Sequence, residues 1–262
     1  GSSEALSLIE FTKTHKQVVL YIARDISHSI EIQKALNFYN HALTILSFPN
    51  WEVLAFDHFS PHPDIVSSRL KTLSQLDTLE KGIVITSLES LTQRICPKKY
   101  IAKYSFNLEV GNNLIIESFV AKLARIGYRK ASRVMEQGEF NIKGALIDIY
   151  PMGSKTPFRI DLFDNEIDSI RTFDPSTQRS IDSIEKINLL PAREFSSDKE
   201  SITLFKANYE KVFGNTDGFI YSEVSEERFP GGIEFYLPLF FEKTDTLFDY
   251  LPKNTKLAFQ KG

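Results

Sequence analysis

The sequence predicts an α/β fold in which a parallel α/β domain is accompanied by an inserted α+β domain that contains an antiparallel sheet. Near the amino terminus, short apolar runs alternate with helical patterns, as expected for a parallel sheet covered by helices. After about residue 105, short strands are separated by turn pairs, which is typical of an antiparallel sheet. With 262 residues, 42% of them hydrophobic, the chain can form one to three compact domains.

The first predicted domain covers residues 1–104. Three β-rich runs are apolar on both sides of the pleat, as strands covered on both faces should be, and they lie at 17–23, 42–48 and 82–88. Before the third run, prolines predict an extended segment that leads into a helix. Apolar residues then recur at helical spacing, namely Val66, Leu70, Leu73 and Leu76.

The second predicted domain covers residues 105–192 and changes its hydrophobic period. One helix carries Phe119, Leu123 and Ile126 on a single face, and Gly127 is placed to end it as a C-cap. Short strands follow, and turn-forming residues separate them at 137–138, 151–153 and 164–165. This pattern predicts an antiparallel α+β unit.

The third region covers residues 193–262. It has a helical stretch at 199–212, a Gly231-Gly232 break and the aromatic run FYLPLFF. The region is short for an independent fold, so we expect it to return to the first domain and complete it. A strand-like run begins near Leu257, and we interpret the chain as a fragment of a longer protein, with Gly1 and Ser2 as candidate non-native residues.

Composition excludes several classes of protein. The formal net charge of -3, from 31 basic and 34 acidic side chains, provides no overall attraction to duplex DNA, although a local basic patch can exist within a neutral average. The single cysteine, Cys96, excludes an intramolecular disulfide and a multi-cysteine zinc site. Because no run is apolar enough for a membrane span or a secretion signal, we expect a cytoplasmic protein.

The α/β beginning raises the question of a nucleotide-binding loop. Such a loop needs glycines, a lysine for the phosphates and a hydroxyl for magnesium, and no segment matches GxxxxGK[ST]. The candidate place is before the first strand, where Glu4 and Ala5 stand instead of the lysine and the hydroxyl residue. A carboxylate there would repel phosphates, so we expect no ATP hydrolysis by this segment.

Other candidate catalytic and metal groups have better structural interpretations. His58 and His62 are four residues apart, but Pro61 and Pro63 prevent the helix that would align them. We expect a solvated loop there. A hairpin turn, rather than a magnesium site, is expected for the acidic group Asp164, Glu166 and Asp168. No serine or cysteine nucleophile has a recognisable base beside it.

The strand-like segment 157–163 is the clearest candidate for a binding surface. Alternation places one apolar set on the core face, consisting of Phe158, Ile160 and Leu162. The other face mixes a guanidinium, a carboxylate and an aromatic ring, as binding hot spots do, and it consists of Arg159, Asp161 and Phe163. Composition alone favours the alternative, in which a packed phenylalanine lies beside an ordinary ion pair.

Long motifs show a family resemblance. The runs GEFNIKGALIDIYPMGS, PFRIDLFDNEIDSIRTFDPSTQRS and LLPAREF, together with WEVLAFDHFSPHPDIVSSRLKTL, closely resemble the amino-terminal UvrB-homology module of the bacterial transcription-repair coupling factor (Mfd) family. The resemblance extends to about Phe195, and more loosely through GGIEFYLPLFF. It implies a UvrB-like domain 1a at 1–104, a UvrA-binding domain 2 at 105–192, and a carboxyl-terminally truncated domain 1b at 193–262.

Two departures separate this sequence from UvrB itself. UvrB has a functional phosphate loop, whereas Glu4 and Ala5 occupy its lysine and hydroxyl positions here. UvrB also inserts an aromatic hairpin that probes damaged DNA, whereas FDHFSPHPD passes directly into a helix here. The resemblance therefore implies a degenerate P-loop NTPase-like domain, no cofactor in this segment, and no enzymatic activity of its own.

The resemblance also implies a role in nucleotide excision repair. A UvrB-homology module of this family recruits UvrA to RNA polymerase that has stalled at a lesion, while ATP, magnesium, DNA and RNA polymerase are bound by other domains of the parent protein. The family contacts to UvrA correspond here to Arg159, Phe163 and Lys143, with Asp161 as a further candidate. Lys143 departs from the usual arginine and lacks its planar fork.

Two other functions stay open from the sequence. One is a UvrB-like, ATP-dependent DNA-damage-processing enzyme whose phosphate loop lies upstream of Gly1. The other is direct DNA binding by the first domain, which would weaken steeply with salt.

Overall fold

A computed structural model describes residues 2–39 and 42–259, so Gly1 lies outside the described residues. The helices are α1 (Ser2–His15), α2 (Ile26–Tyr39), α3 (Pro63–Leu76), α4 (Leu88–Leu91), α5 (Lys98–Tyr104), α6 (Ile116–Arg125), α7 (Lys199–Phe213), α8 (Phe219–Ser225), α9 (Leu247–Tyr250) and a 3₁₀ helix, Ile233–Phe240. The strands are β1 (Val18–Ala23), β2 (Thr44–Phe48), β3 (Gly82–Ser87), β4 (Phe106–Glu109), β5 (Arg129–Lys130), β6 (Glu139–Lys143), β7 (Leu146–Ile149), β8 (Phe158–Phe163), β9 (Glu166–Phe173), β10 (Ser180–Ile184), β11 (Lys186–Leu189) and β12 (Lys256–Phe259).

The first sheet is parallel and has the strand order β12-β1-β3-β2. Helices α1 and α2 contribute to a core with Val19 and Ile83, whereas α3 packs on the opposite face with Leu20 and Val84. Covering on both faces explains why these strands are apolar at nearly every position. The predicted runs at 17–23, 42–48 and 82–88 are confirmed as β1, β2 and β3.

The second sheet has the order β10-β9-β8-β7-β6-β5 and is antiparallel except where β5 pairs with β6. One register row crosses four strands and faces the core, and it consists of Ile142, Ile147, Ile160 and Ile170. Helix α6 packs on this core through Phe119 and Leu123. A third, two-stranded sheet pairs β4 with β11. The predicted mixture of parallel and antiparallel sheets in an α/β fold is therefore confirmed.

All of the aromatic run FYLPLFF except its last residue, Phe241, lies within the 3₁₀ helix, and the run contributes to a separate core cluster. Phe240 lies 4.3 Å from Phe195 and 4.7 Å from Phe205, measured between ring centroids. Downstream of this cluster, β12 pairs in parallel with β1, so the end of the chain joins the first sheet. No helix in the described ranges combines the length and the apolar character needed to cross a membrane.

A buried ion pair connects α3 to the segment that follows β11. Arg69 is fully buried and donates to Glu194, with Nε to Oε1 at 2.5 Å and Nη2 to Oε2 at 3.2 Å. Its Nη1 donates to the Pro49 carbonyl at 2.9 Å and to Gln93 Oε1 at 2.8 Å. The guanidinium also lies 4.1 Å from the ring centroid of Phe48. One side chain thus joins segments that are distant in sequence.

A second polar contact, between α5 and α7, predicts a dependence of stability on pH. The Asp198 carboxylate accepts hydrogen bonds from the Tyr104 hydroxyl and from the Ser201 amide, the latter at 2.9 Å. Burial acts to raise the pKa of Asp198, but these hydrogen bonds outweigh it and lower the pKa from 3.8 to about 2. The stabilisation is therefore complete above pH 3.8 and is lost as the pH falls towards 2.

We expect Asp198→Asn to lower the melting temperature near neutral pH and to reduce its decline on acidification, as measured by thermal unfolding across this pH window. Asp168→Asn, at an exposed carboxylate of the second sheet, is the matched control. Melting curves of Asp198→Asn that run parallel to those of the unmodified chain at every pH would contradict the prediction.

Candidate protein-binding surface

The second sheet has a polar face opposite its isoleucine row, and we call it the outer face. One register row on it consists of Asn141, Asp148, Arg159 and Arg171. The adjacent row consists of Lys143, Leu146, Asp161 and Ser169. The alternation predicted for 158–163 agrees with the burial observed, because Ile160 and Leu162 are buried whereas Phe163 is exposed.

Arg159 is held in the outer face by its neighbours. Its Nε and Nη2 donate to the two carboxylate oxygens of Asp148 at 2.7 and 2.8 Å, and Nη1 donates to the Gln178 carbonyl at 3.0 Å. The guanidinium lies 4.9 Å from the ring centroid of Phe173. The hydrogen bond with Asp148 raises the pKa of Arg159 against the effect of burial. Only 18% of the Arg159 side chain is exposed. Its main role in the structure is therefore the ion pair with Asp148.

Two segments that contact the outer face explain this burial. The segment 174–179 contacts Arg159 through the Gln178 carbonyl, and the segment 131–136 contacts Asn141, whose Nδ2 donates to the Ser132 carbonyl at 3.0 Å. The two segments are joined to each other, because Gln178 Nε2 donates to the Val134 carbonyl at 3.2 Å. Phe173, against which the Arg159 guanidinium packs, is fully buried. Sequence reasoning missed these contacts, and the only available signal was Asp148, a lone carboxylate within an apolar strand.

Phe163 and Lys143 lie at one end of the outer face, on neighbouring hairpin turns. We call these two turns, 143–146 and 163–166, the hairpin tips. They are adjacent because the Leu162 amide donates to the Ala145 carbonyl at 3.0 Å. The Phe163 side chain is 74% exposed. Lys143 is also exposed, and within the described ranges no carboxylate forms a salt bridge with it.

The structure therefore divides the predicted site residues into two groups. Arg159 and Phe163 share a face, but four residues of extended chain separate them by roughly 13 Å. Asp161 is half-buried and already paired, since its carboxylate accepts hydrogen bonds from Arg171 and, at 3.2 Å, from Ser169. Phe163 and Lys143 present the free surface.

The other acidic and imidazole side chains have structural roles. Asp164 occupies the turn between β8 and β9 with a φ of 54°, so the predicted hairpin is confirmed. His62 accepts a hydrogen bond from the Asp64 amide at 3.3 Å and caps α3. Within the described ranges, no group of three His, Cys, Asp or Glu side chains is arranged to hold a metal ion.

Glu4 and Ala5 lie in the first turn of α1, which precedes β1, whereas a phosphate loop joins a strand to the helix that follows it. The structure therefore does not place them at the phosphate-loop position predicted from the sequence. Ala5 is fully buried in the core beneath the first sheet. The Glu4 carboxylate accepts a hydrogen bond from the Tyr21 hydroxyl at 2.5 Å and lies 3.4 Å from His28 Nε2. Burial acts to raise the pKa of Glu4, but hydrogen bonds from Tyr21 and His28 outweigh it and lower the pKa. The ionised carboxylate is thus part of a packed polar cluster.

Comparisons with known proteins match the segment that contains the second sheet to a family model. Residues 106–195 match the model of the UvrB interaction domain. The chain is 40% identical over 256 residues to the transcription-repair-coupling factor of Haemophilus influenzae, covering 97% of this chain and 22% of that protein. It is 39% identical over 261 residues to the Escherichia coli K12 protein of the same name, covering 98% of this chain and 23% of that protein. A Staphylococcus epidermidis protein of that name is 30% identical over 269 residues, covering 97% of this chain and 23% of that protein.

Proposed function

We propose that this chain is a non-catalytic module that recruits UvrA in the bacterial cytoplasm. The premise is that the chain belongs, through residues 106–195, to the UvrB interaction domain family, and that it is homologous along its length to the amino-terminal region of transcription-repair-coupling factors. The observation that carries the proposal is the exposed Phe163 at the hairpin tips. An aromatic ring exposed to solvent at the end of a strand of a packed sheet is a suitable anchor for a partner protein.

The contact we propose has two components. Phe163 enters an apolar pocket of UvrA and supplies buried area, because its ring is 74% exposed before binding. Lys143 supplies an unpaired positive charge beside it, which steers an acidic partner surface during association. Arg159 keeps the outer face rigid through Asp148, and it presents the remaining N–H groups of its partly exposed guanidinium.

We further propose three domains for this segment: domain 1a at 1–104, domain 2 at 105–192, and domain 1b at 193–262. In this proposal, domains 1a and 1b form a degenerate P-loop NTPase-like unit without nucleotide binding. The support is the parallel strand order β12-β1-β3-β2 with helices packed on both faces, in a sequence without the GxxxxGK[ST] motif. The chain spans less than a quarter of the length of these relatives. We propose that the rest of the parent protein binds ATP, magnesium, DNA and RNA polymerase.

Phe163→Ala should weaken the association with UvrA by on the order of 1–3 kcal/mol, because the variant removes an anchor ring from the contact. Isothermal titration of UvrA into the chain measures this change. Phe38→Ala is the matched control, since Phe38 is 73% exposed on α2, far from the hairpin tips in sequence. Circular dichroism should show that both variants keep their fold.

Three results of this titration would count against the proposal. The unmodified chain could fail to bind UvrA, Phe163→Ala could bind as tightly as the unmodified chain, or Phe38→Ala could weaken binding equally. Each would exclude Phe163 as the anchor of a specific contact.

A further inference from the structure

A second surface, separate from the hairpin tips, has the chemistry of a binding site. An open cavity of about 910 Å³ lies between the end of α5, the end of α6 and the start of α7. Within the part of the chain that the structure describes, four cations line it without forming a salt bridge, and they are Lys103, Arg125, Arg193 and Lys199. On a chain with a net charge of -3, this is a local concentration of positive charge.

The acidic residues around the cavity compensate these cations only in part. A hydrogen bond with Tyr104 and the charges of Asp198 and Glu200 raise the pKa of Lys103, and the charge of Glu234 acts to raise the pKa of Arg193. The Asp198 carboxylate is occupied by Tyr104 and the Ser201 amide. Glu200 and Glu227 are exposed at the rim, and within the described ranges no ion pair connects either of them to a cavity cation. The cavity therefore keeps a surplus of positive charge.

Arg193 is the most buried of the four cations, since it is half-buried whereas the other three are exposed. Its guanidinium lies 4.8 Å from the ring centroid of Phe229 and 5.7 Å from that of Phe195, and burial lowers its pKa. Among the described residues, none accepts a hydrogen bond from this guanidinium. Withdrawing a cation from water without a partner is unfavourable, whereas an incoming anion would remove the penalty. Arg193 lies in the LLPAREF motif, to which the UvrA contact assigns no role.

Gly127 sets the position of the Arg193 side chain. It follows α6 with a φ of +90°, which a residue with a Cβ adopts rarely. A Cβ built there would lie 2.8 Å from Cγ and 3.0 Å from Cδ of Arg193. The aliphatic stem of Arg193 therefore packs against bare backbone, and this contact aims the guanidinium along the wall of the cavity.

We propose that this cavity binds a compact anion that carries phosphate groups, with Arg193 at its floor and the other three cations around its rim. A guanidinium offers paired donors that match phosphate oxygens, and several cations together match a ligand with several charges. The volume lies within the roughly 300–1,000 Å³ of small-molecule sites.

The surroundings favour a compact ligand over a nucleic-acid strand. The adjoining cavity of about 610 Å³ shares Lys103 with the first. There the surplus is smaller, because four lysines, of which Lys98 pairs with Asp77 at 3.0 Å, are opposed by three carboxylates, those of Glu200, Glu242 and Asp245. The positive surplus thus decreases where a strand would continue.

Inorganic tripolyphosphate is the probe for this site, titrated into the intact chain in low-salt buffer. We expect saturable binding at one site, lost in Arg193→Gln and weakened about tenfold in Arg125→Gln, since each removes a charge-assisted contact. Lys143→Gln, which removes a charge at the hairpin tips, should bind tripolyphosphate normally. Arg125→Gln should conversely leave UvrA binding unchanged, so this inference and the UvrA proposal can fail separately.

Absence of saturable binding would overturn the proposal, as would unchanged binding in Arg125→Gln, whose exposed side chain can be replaced without disturbing the core. A single-stranded oligonucleotide is the second probe in this binding experiment. If it bound more tightly than tripolyphosphate at the same cations, with affinity falling steeply with salt, the ligand would be a nucleic-acid backbone. The proposal of a compact anion would then be wrong.

Discussion

Replacing Arg69 by alanine should lower the free energy of unfolding by about 3–5 kcal/mol, the usual effect of removing one partner from a buried ion pair. The variant leaves the Glu194 carboxylate buried without its cation, and it also removes the donors to Pro49 and Gln93. Urea unfolding followed by the fluorescence of Trp51, the single tryptophan, measures the change, because its ring lies 5.2 Å from this guanidinium.

Two further variants separate charge burial from packing at this position. Arg69→Met with Glu194→Leu removes both charges and keeps apolar volume, so its loss of stability should be clearly smaller than that of Arg69→Ala. Arg24→Ala, which breaks an exposed pair with Asp25, should leave unfolding unchanged. A loss below about 1 kcal/mol for Arg69→Ala would show that water reaches and solvates Glu194.

Arg159→Ala should have two effects, because this side chain belongs both to the fold and to the proposed UvrA surface. We expect the free energy of unfolding to fall by about 2–3 kcal/mol, less than for Arg69 because the pair is partly exposed. Loss of the hydrogen bond to the Gln178 carbonyl should also release the 174–179 segment. Hydrogen exchange at that segment, together with urea unfolding, measures both consequences.

Asp148→Ala distinguishes the two ways in which Arg159 can serve UvrA binding. It breaks the same ion pair but leaves the guanidinium in place. If Arg159 contacts UvrA directly, as we propose, Arg159→Ala should weaken binding by about 1–3 kcal/mol, whereas Asp148→Ala should retain most of the affinity. Equal losses in the two variants would assign Arg159 a purely structural role and leave the contact to Phe163 and Lys143.

The sequence by itself determined the features that depend on local periodicity. The first three parallel strands, the α6 stripe and the two faces of β8 were predictable, because side-chain alternation and helical spacing are properties of a short segment. The exposure of Phe163 follows in the same way, since it is out of phase with Ile160 and Leu162 just before a turn. Long motifs indicated the family, and the family resemblance in turn indicated the candidate contact residues.

Only the tertiary structure decided which charges are free to bind a partner. Strand alternation placed Arg159, Asp161 and Phe163 on one face, but the partner of Arg159 lies on a neighbouring strand, and its cover comes from the 174–179 segment. The contact between Arg69 and Glu194 spans 125 positions. Such pairings depend on strand order and on chain segments that meet only in the fold, so no local pattern specifies them.

The same reason accounts for the cavity around Arg193. Its cations come from α5, α6, α7 and the segment after β11, and no short stretch of sequence shows them together. The sequence determined which segments form strands and helices and which family they resemble. The tertiary structure decided which side chains are neutralised by neighbours, because that depends on distances between segments that are remote along the chain.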